Sequence, residues 1–247
     1  MQTAEQIKLD PATSIDSSNN PETTLYSPKS SPTQINPEAH SNSAIGDSIE
    51  ILTRIYDDPI NLVVLQRPLA SQVQHYCRQL IAAKPDFSMR AVFRQARSQQ
   101  ALTESFPVLE GQSAFITDLM LLMELYSCLF DLEEVGLRVQ VLDRAMCPRF
   151  HTDKLGCRLV TTYLGLGTEW LHNRVLDRSK LGAGNQGLSD DRSGLYSADT
   201  EIEQVAEGDI VLLKGDGWIG NEGRGAVHRS PAVSQGDKRI VVTMDFG

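Results

Sequence analysis

At Gly136 the hydrophobic rhythm of this chain changes period. Upstream, apolar residues recur at three- and four-residue spacing: Leu62, Val63 and Leu65, then Val73, Tyr76, Cys77, Leu80 and Ile81, with Lys84-Pro85 as a stop. The spacing predicts one amphipathic helix starting after Pro68 and a second over Met89 to Gln99. A third is expected over Gln112 to Leu132, where Phe115, Ile116, Leu119, Leu122, Met123 and Tyr126 share a broad apolar face. Downstream, Leu137, Val139 and Val141 alternate with Arg138 and Gln140 as in a strand, and Arg158 to Leu164 is rich in β-branched and aromatic residues. Glu207-Gly208-Asp209 turns into Ile210-Val211-Leu212-Leu213, and Lys238 to Phe246 ends the series. Helices followed by short strands make an α+β chain, with a helical part over 46–135 and a β core over 136–247.

Two segments fall outside this rhythm. Residues 1–45 are Ser-, Thr-, Asn- and Pro-rich with almost no apolar clustering, so a disordered tail is expected there. Residues 177–200 carry Gly182, Gly184, Gly187 and Gly194 and are expected to be a mobile insertion without secondary structure, a candidate lid. Thirty-two acidic against twenty-three basic residues give a net charge of −9, which argues against nucleic acid as a partner. The four cysteines and the absence of a basic-then-apolar start fit reduced thiols in a cytoplasmic protein. The longest apolar run, Met120 to Met123, stops at Glu124, far short of the roughly 20 residues a membrane span needs. The helical part would either offer a homodimer surface or brace the core.

The chemistry-bearing residues are His151-Thr152-Asp153 and, far downstream, His228. An H-x-D on a strand places both side chains on one face. A second imidazole from a distant strand then completes two nitrogens and a carboxylate, the facial set of non-haem Fe(II) oxygenases. The spacing C-x3-H-x-D-x3-C over Cys147, His151, Asp153 and Cys157 leaves a Zn²⁺ site open as an alternative, because thiolate and imidazole are favoured zinc ligands.

The run from Val227-His228 through Pro231 and Gly236 to Lys238-Arg239 resembles the last two strands of the Fe(II)/2-oxoglutarate dioxygenase superfamily, as does the turn and strand Glu207 to Leu212. Pattern and resemblance together point to a double-stranded β-helix, a cupin-like jelly roll. The resemblance implies Fe(II) and 2-oxoglutarate as cofactors, His151, Asp153 and His228 as metal ligands, and Arg239 as the anchor of the far carboxylate. A guanidinium fork can bind that carboxylate bidentately. The family often has a hydroxyl residue two positions after its Arg, where this chain has Val241; Thr161 and Tyr163 are the candidates to supply it.

Cys147-Pro148-Arg149-Phe150-His151-Thr152-Asp153, continued through Arg158 to Leu171, also resembles a bacterial family known only as a domain of unknown function, often encoded near zinc-responsive metallochaperone genes. That resemblance covers most of the chain after the tail. Two readings follow: an oxygenase acting on a small molecule or protein of unknown identity, or a non-catalytic zinc-binding protein of metal homeostasis that uses the same site with Cys147 or Cys157.

Overall fold

The computed structural model describes residues 41–94 and 98–247. Ten strands run in chain order: β1 (Ser43–Gly46), β2 (Leu62–Leu65), β3 (Ser88–Arg94), β4 (Glu134–Leu142), β5 (Cys157–Leu164), β6 (Glu169–Leu171), β7 (Ile202–Gln204), β8 (Ile210–Lys214), β9 (Val227–Arg229) and β10 (Arg239–Phe246). Seven form a large sheet in the order β1-β2-β8-β5-β10-β4-β3, and three form a small one, β7-β6-β9. From β4 onward the chain alternates between them: β4, a bridge at His151 to His228, β5, then β6 and β7, β8, β9 and β10. This winding is the double-stranded β-helix, and the expected jelly roll is present.

Both faces of the large sheet are covered. Its inner face carries Leu62, Val64, Val160, Val211, Leu213 and Val241, which pack against Trp170, Val205 and Ala226 from the side of the small sheet. On its outer face Leu159, Tyr163, Ile210, Leu212, Val242 and Met244 share a core with α1 (Ser71–Ala83) and α3 (Gln112–Phe130). Strands buried on both sides read as continuous apolar runs, which is why all of β8 is buried without alternation. Helix α3 is apolar and long enough to cross a membrane by length and composition, and here its buried face contributes to this core.

A buried polar link joins helix to sheet. Arg67 donates to both carboxylate oxygens of Asp118 on α3 at 2.6 and 2.9 Å, and the Tyr163 hydroxyl of β5 donates to the same carboxylate. Asp118→Ala would strand the guanidinium and the phenol together. A loss of about 3–5 kcal/mol in stability is expected, read from the denaturant midpoint.

Four expectations are corrected. Leu62, Val63 and Leu65 belong to β2, not to a helical pattern, because a short apolar run bounded by Pro59 and Pro68 fits a doubly buried strand equally well. The helix expected over Met89 to Gln99 is β3, antiparallel to β4 from Ser88 opposite Gln140 to Arg94 opposite Glu134, followed by α2 (Ser98–Ser105). Met89, Ala91 and Phe93 take the core side, a period of two that the helical reading overlooked. The segment 46–135 is therefore not purely helical, since β2 and β3 join the same sheet as the C-terminal strands and the division at 136 falls inside β4. The expected tail lies outside the described residues over 1–40, while its last residues, Ser43 to Ile45, already belong to β1.

The insertion 177–200 is also more ordered than expected. It holds 3-10 turns at Arg178–Lys180 and Gly182–Asn185 and a short helix, α4 (Asp190–Ser193). Leu195 and Tyr196 bury against Phe150, Leu171 and Val227 on the outer face of the small sheet. These residues anchor its end on the back of that sheet.

Candidate metal centre

His151 enters from the bridge to β9, Asp153 follows two residues later, and His228 sits at the centre of β9. Nε2 of His151 lies 3.8 Å from Oδ1 of Asp153, and Nε2 of His228 lies 3.7 Å from Oδ2. One ligand atom from each residue falls within 4.8 Å of the others. These gaps exceed a hydrogen bond and surround a common point. Each Nδ1 donates to a backbone carbonyl, His151 to Arg149 at 2.9 Å and His228 to Ala226 at 3.0 Å. A carbonyl can only accept, so both Nδ1 atoms hold the proton and both Nε2 lone pairs face the carboxylate. Burial, reinforced by the neighbouring His151, pushes the His228 imidazole below its usual range and so favours its neutral form. The donor set suits a 2-His-1-carboxylate metal.

Further contacts fix the H-x-D segment. The Arg149–Phe150 peptide has its carbonyl on His151 Nδ1, and its N–H donates to Asp190 of α4 at 2.9 Å. Asp190, 6% exposed, also accepts from Arg149 Nε at 2.7 Å. Asp216 accepts from the Thr152 hydroxyl at 2.7 Å. Arg158 donates to Asp153 Oδ2 at 2.9 Å and holds both oxygens of Asp245 at 2.7 and 2.9 Å. One role of the insertion is thus to steady His151 from behind. Asp190→Ala should weaken Co(II) affinity by roughly tenfold, as loss of an outer-sphere orienting group does. Unchanged affinity in a titration of the folded variant would refute that role.

Arg239 opens β10, is 3% exposed, and has only neutral acceptors. Its Nε donates to Leu166 O at 2.6 Å, one terminal nitrogen to Ser230 Oγ at 2.8 Å and the other to Thr162 Oγ1 at 3.2 Å. Burial lowers the guanidinium to about 10, and no acid ion-pairs with it among the described residues. Lys238 lies apart, half-buried, with Nζ donating to Pro85 O at 3.1 Å.

The two hydroxyl candidates are displaced from this group. Thr161 and Tyr163 face the helices: Tyr163 is committed to Asp118, and Thr161 stands opposite Val242 and Ile210 of the outer core. Thr162, opposite Val241, is the β5 hydroxyl on the inner face. Alternation could not set this phase in a strand buried on both sides. Neither cysteine joins the metal cluster. Cys147 is exposed, while Cys157 belongs to the outer core, where burial pushes its thiol well above its usual range. His172 packs against Trp170 with ring centroids 4.3 Å apart. Asp190, Asp216 and Asp245 escaped sequence reasoning because their contacts cross dozens of residues, and Ser230, nine residues from Arg239, carries no motif of its own.

Comparison with known proteins gives three findings. The sequence profile of the family described as "Protein of unknown function (DUF1826)" matches residues 46–245. No curated protein matches the chain. Among solved structures, it is similar to a rice dioxygenase for auxin oxidation, at 15% identity and a TM-score of 0.49, over 83% of this chain and 82% of that one. A Pseudomonas putida prolyl-4-hydroxylase matches at 11% identity and a TM-score of 0.40, over 80% of this chain and 97% of that one. It is also similar to an oxidoreductase of the 2OG-Fe(II) oxygenase family from Burkholderia pseudomallei, at 10% identity and a TM-score of 0.38, over 82% of this chain and 93% of that one. With the profile spanning the jelly roll and its metal-ligand cluster alike, the chain belongs to the DUF1826 family.

Proposed function

We propose that this protein is an Fe(II)- and 2-oxoglutarate-dependent oxygenase. The observation that carries the reading is the convergence of two imidazole Nε2 atoms, each locked as an acceptor, on the Asp153 carboxylate. When bound, iron with 2-oxoglutarate and dioxygen supplies the oxidant for a substrate C–H bond, with succinate and CO₂ leaving. His151, Asp153 and His228 would hold the metal on one face. Arg158 occupies Asp153 Oδ2 and so favours Oδ1 for the metal. Arg239, a desolvated cation without a carboxylate, would take the far carboxylate of the cosubstrate, flanked by the Thr162 and Ser230 hydroxyls. The apolar inner core around Val160, Trp170, Val211 and Val241 would keep water from the barrel. Four free thiols suit a reducing compartment.

The zinc reading finds no thiolate support, since Cys157 faces the helices and Cys147 stands apart from the cluster. The test is succinate formation from 2-oxoglutarate by anaerobically purified, Fe(II)-loaded protein on admission of air. Formation lost in His228→Ala supports the proposal. Tight zinc occupancy with no succinate would replace it with metal storage or transfer.

A further inference from the structure

We propose that the inner face of β3 and β4 beside the metal centre is a substrate site for an oxyanion, held by Arg90 and Arg138, which makes the primary substrate a small organic acid. The site rests on the oxygenase reading only for its link to the metal. Arg90 and Arg138 stand directly opposite each other across β3 and β4, and Arg138 stands directly opposite Thr243 across β4 and β10. Such partners lie about 5 Å apart at Cβ, and like charges so placed repel. In a chain of net charge −9, neither arginine has an acidic partner among the described residues.

Thr243 lies under the same face. It is 5% exposed, and its Oγ1 is the buried side-chain polar atom without a hydrogen-bond partner among the described residues. It pairs with Val160 of the inner core, so its side chain shares the face of the two arginines. It does not line the cavity beside them and its Oγ1 is closed to a ligand there, so the two guanidinium groups are what the site offers an oxyanion.

Space is present next to this row. Arg90, Val92, Gly136, Arg138, Asp245 and Phe246 border a cavity of about 420 Å³, within the range of small-molecule sites. Gly136, opposite both Val92 and Asp245, has no side chain to fill it. Asp245 grips Arg158, which grips Asp153, so the cavity adjoins the metal ligands through two ion pairs. Val92, 59% exposed, offers the carbon skeleton an apolar rim. Carboxylate and phosphate share the chemistry this row would recognise.

The test titrates the full metal-free chain with inorganic phosphate and, separately, benzoate, following arginine Nε–H signals by NMR and the melting temperature. Saturable shifts at Arg90 and Arg138 are expected, and the tighter probe assigns the acid. R90Q/R138Q should lose at least about tenfold in affinity, the cost of a charge-assisted hydrogen bond, and T243V, whose hydroxyl lies outside the cavity, should bind as the wild type does. Both variants should melt at or above the wild-type temperature, because repulsion or an orphaned hydroxyl has been removed. Equal binding by R90Q/R138Q, shifts confined to Arg239, or no saturable binding would overturn the proposal. Metal titration of the same samples separates the two readings: intact metal binding without anion binding defeats this inference alone, and anion binding without metal binding defeats the oxygenase reading alone.

Discussion

Asp153→Ala is expected to lower Fe(II) affinity by roughly a hundredfold or more while leaving the chain folded. Groups that merely orient metal ligands cost about 10–100-fold when removed, and Asp153 would be a ligand itself. Among the described residues it is also the carboxylate that reaches both Nε2 atoms, at 3.7 and 3.8 Å. The fold should survive because Arg158 keeps both bonds to Asp245 at 2.7 and 2.9 Å when its bond to Asp153 is lost. One charge-assisted hydrogen bond costs about 1–3 kcal/mol, less than a domain's total stability. Anaerobic titration reads the first effect and a denaturation midpoint the second. Retained affinity would mean that the carboxylate serves only to hold Arg158.

Arg239→Gln should raise the 2-oxoglutarate requirement by roughly 30-fold or more, since truncating one partner of a buried charge pair costs about 2–5 kcal/mol. Metal affinity without cosubstrate should not change. Stability should hold or rise: burial lowers the guanidinium to about 10, so it stays protonated at neutral pH at a cost to the fold that the nearby Glu169 offsets only in part. For the same reason 2-oxoglutarate should raise the melting temperature of the wild type and not of the variant. Arg239→Lys should recover only part of the affinity, because a point charge cannot reproduce the fork that reaches Leu166, Ser230 and Thr162. An unchanged 2-oxoglutarate requirement in Arg239→Gln would make the residue a clamp for the Leu166 loop.

The parts legible in sequence were those with a local signature. Alternation through β4, the Gly208 turn with its φ of 91°, and the final strand could each be read within a dozen residues. The triad was legible through H-x-D plus a distant His, but the strand expected to carry the pair is absent: His151 forms an isolated bridge to His228, and Asp153 lies in the loop before β5. β2 and β3 were misread because a four-residue apolar run and a Met-Arg-Ala-Val-Phe segment fit either period until a partner strand decides. The hydroxyl beside Arg239 was misplaced for a related reason: in Thr161-Thr162-Tyr163 every residue is buried, and a register irregularity between Ile240 and Val241 shifts the pairing there. The insertion looked like a loop because its glycines are local, while the contacts of Leu195, Tyr196 and Asp190 that hold it to Phe150 and Val227 are not.

The most direct measurement is anaerobic calorimetric titration of Fe(II) into the wild-type chain, His151→Ala and His228→Ala, each first shown to be folded. One equivalent per wild-type chain is expected, with none retained by either variant in the same concentration range. No binding by the folded wild type, or equal occupancy in the two variants, would contradict a metal centre built on these side chains.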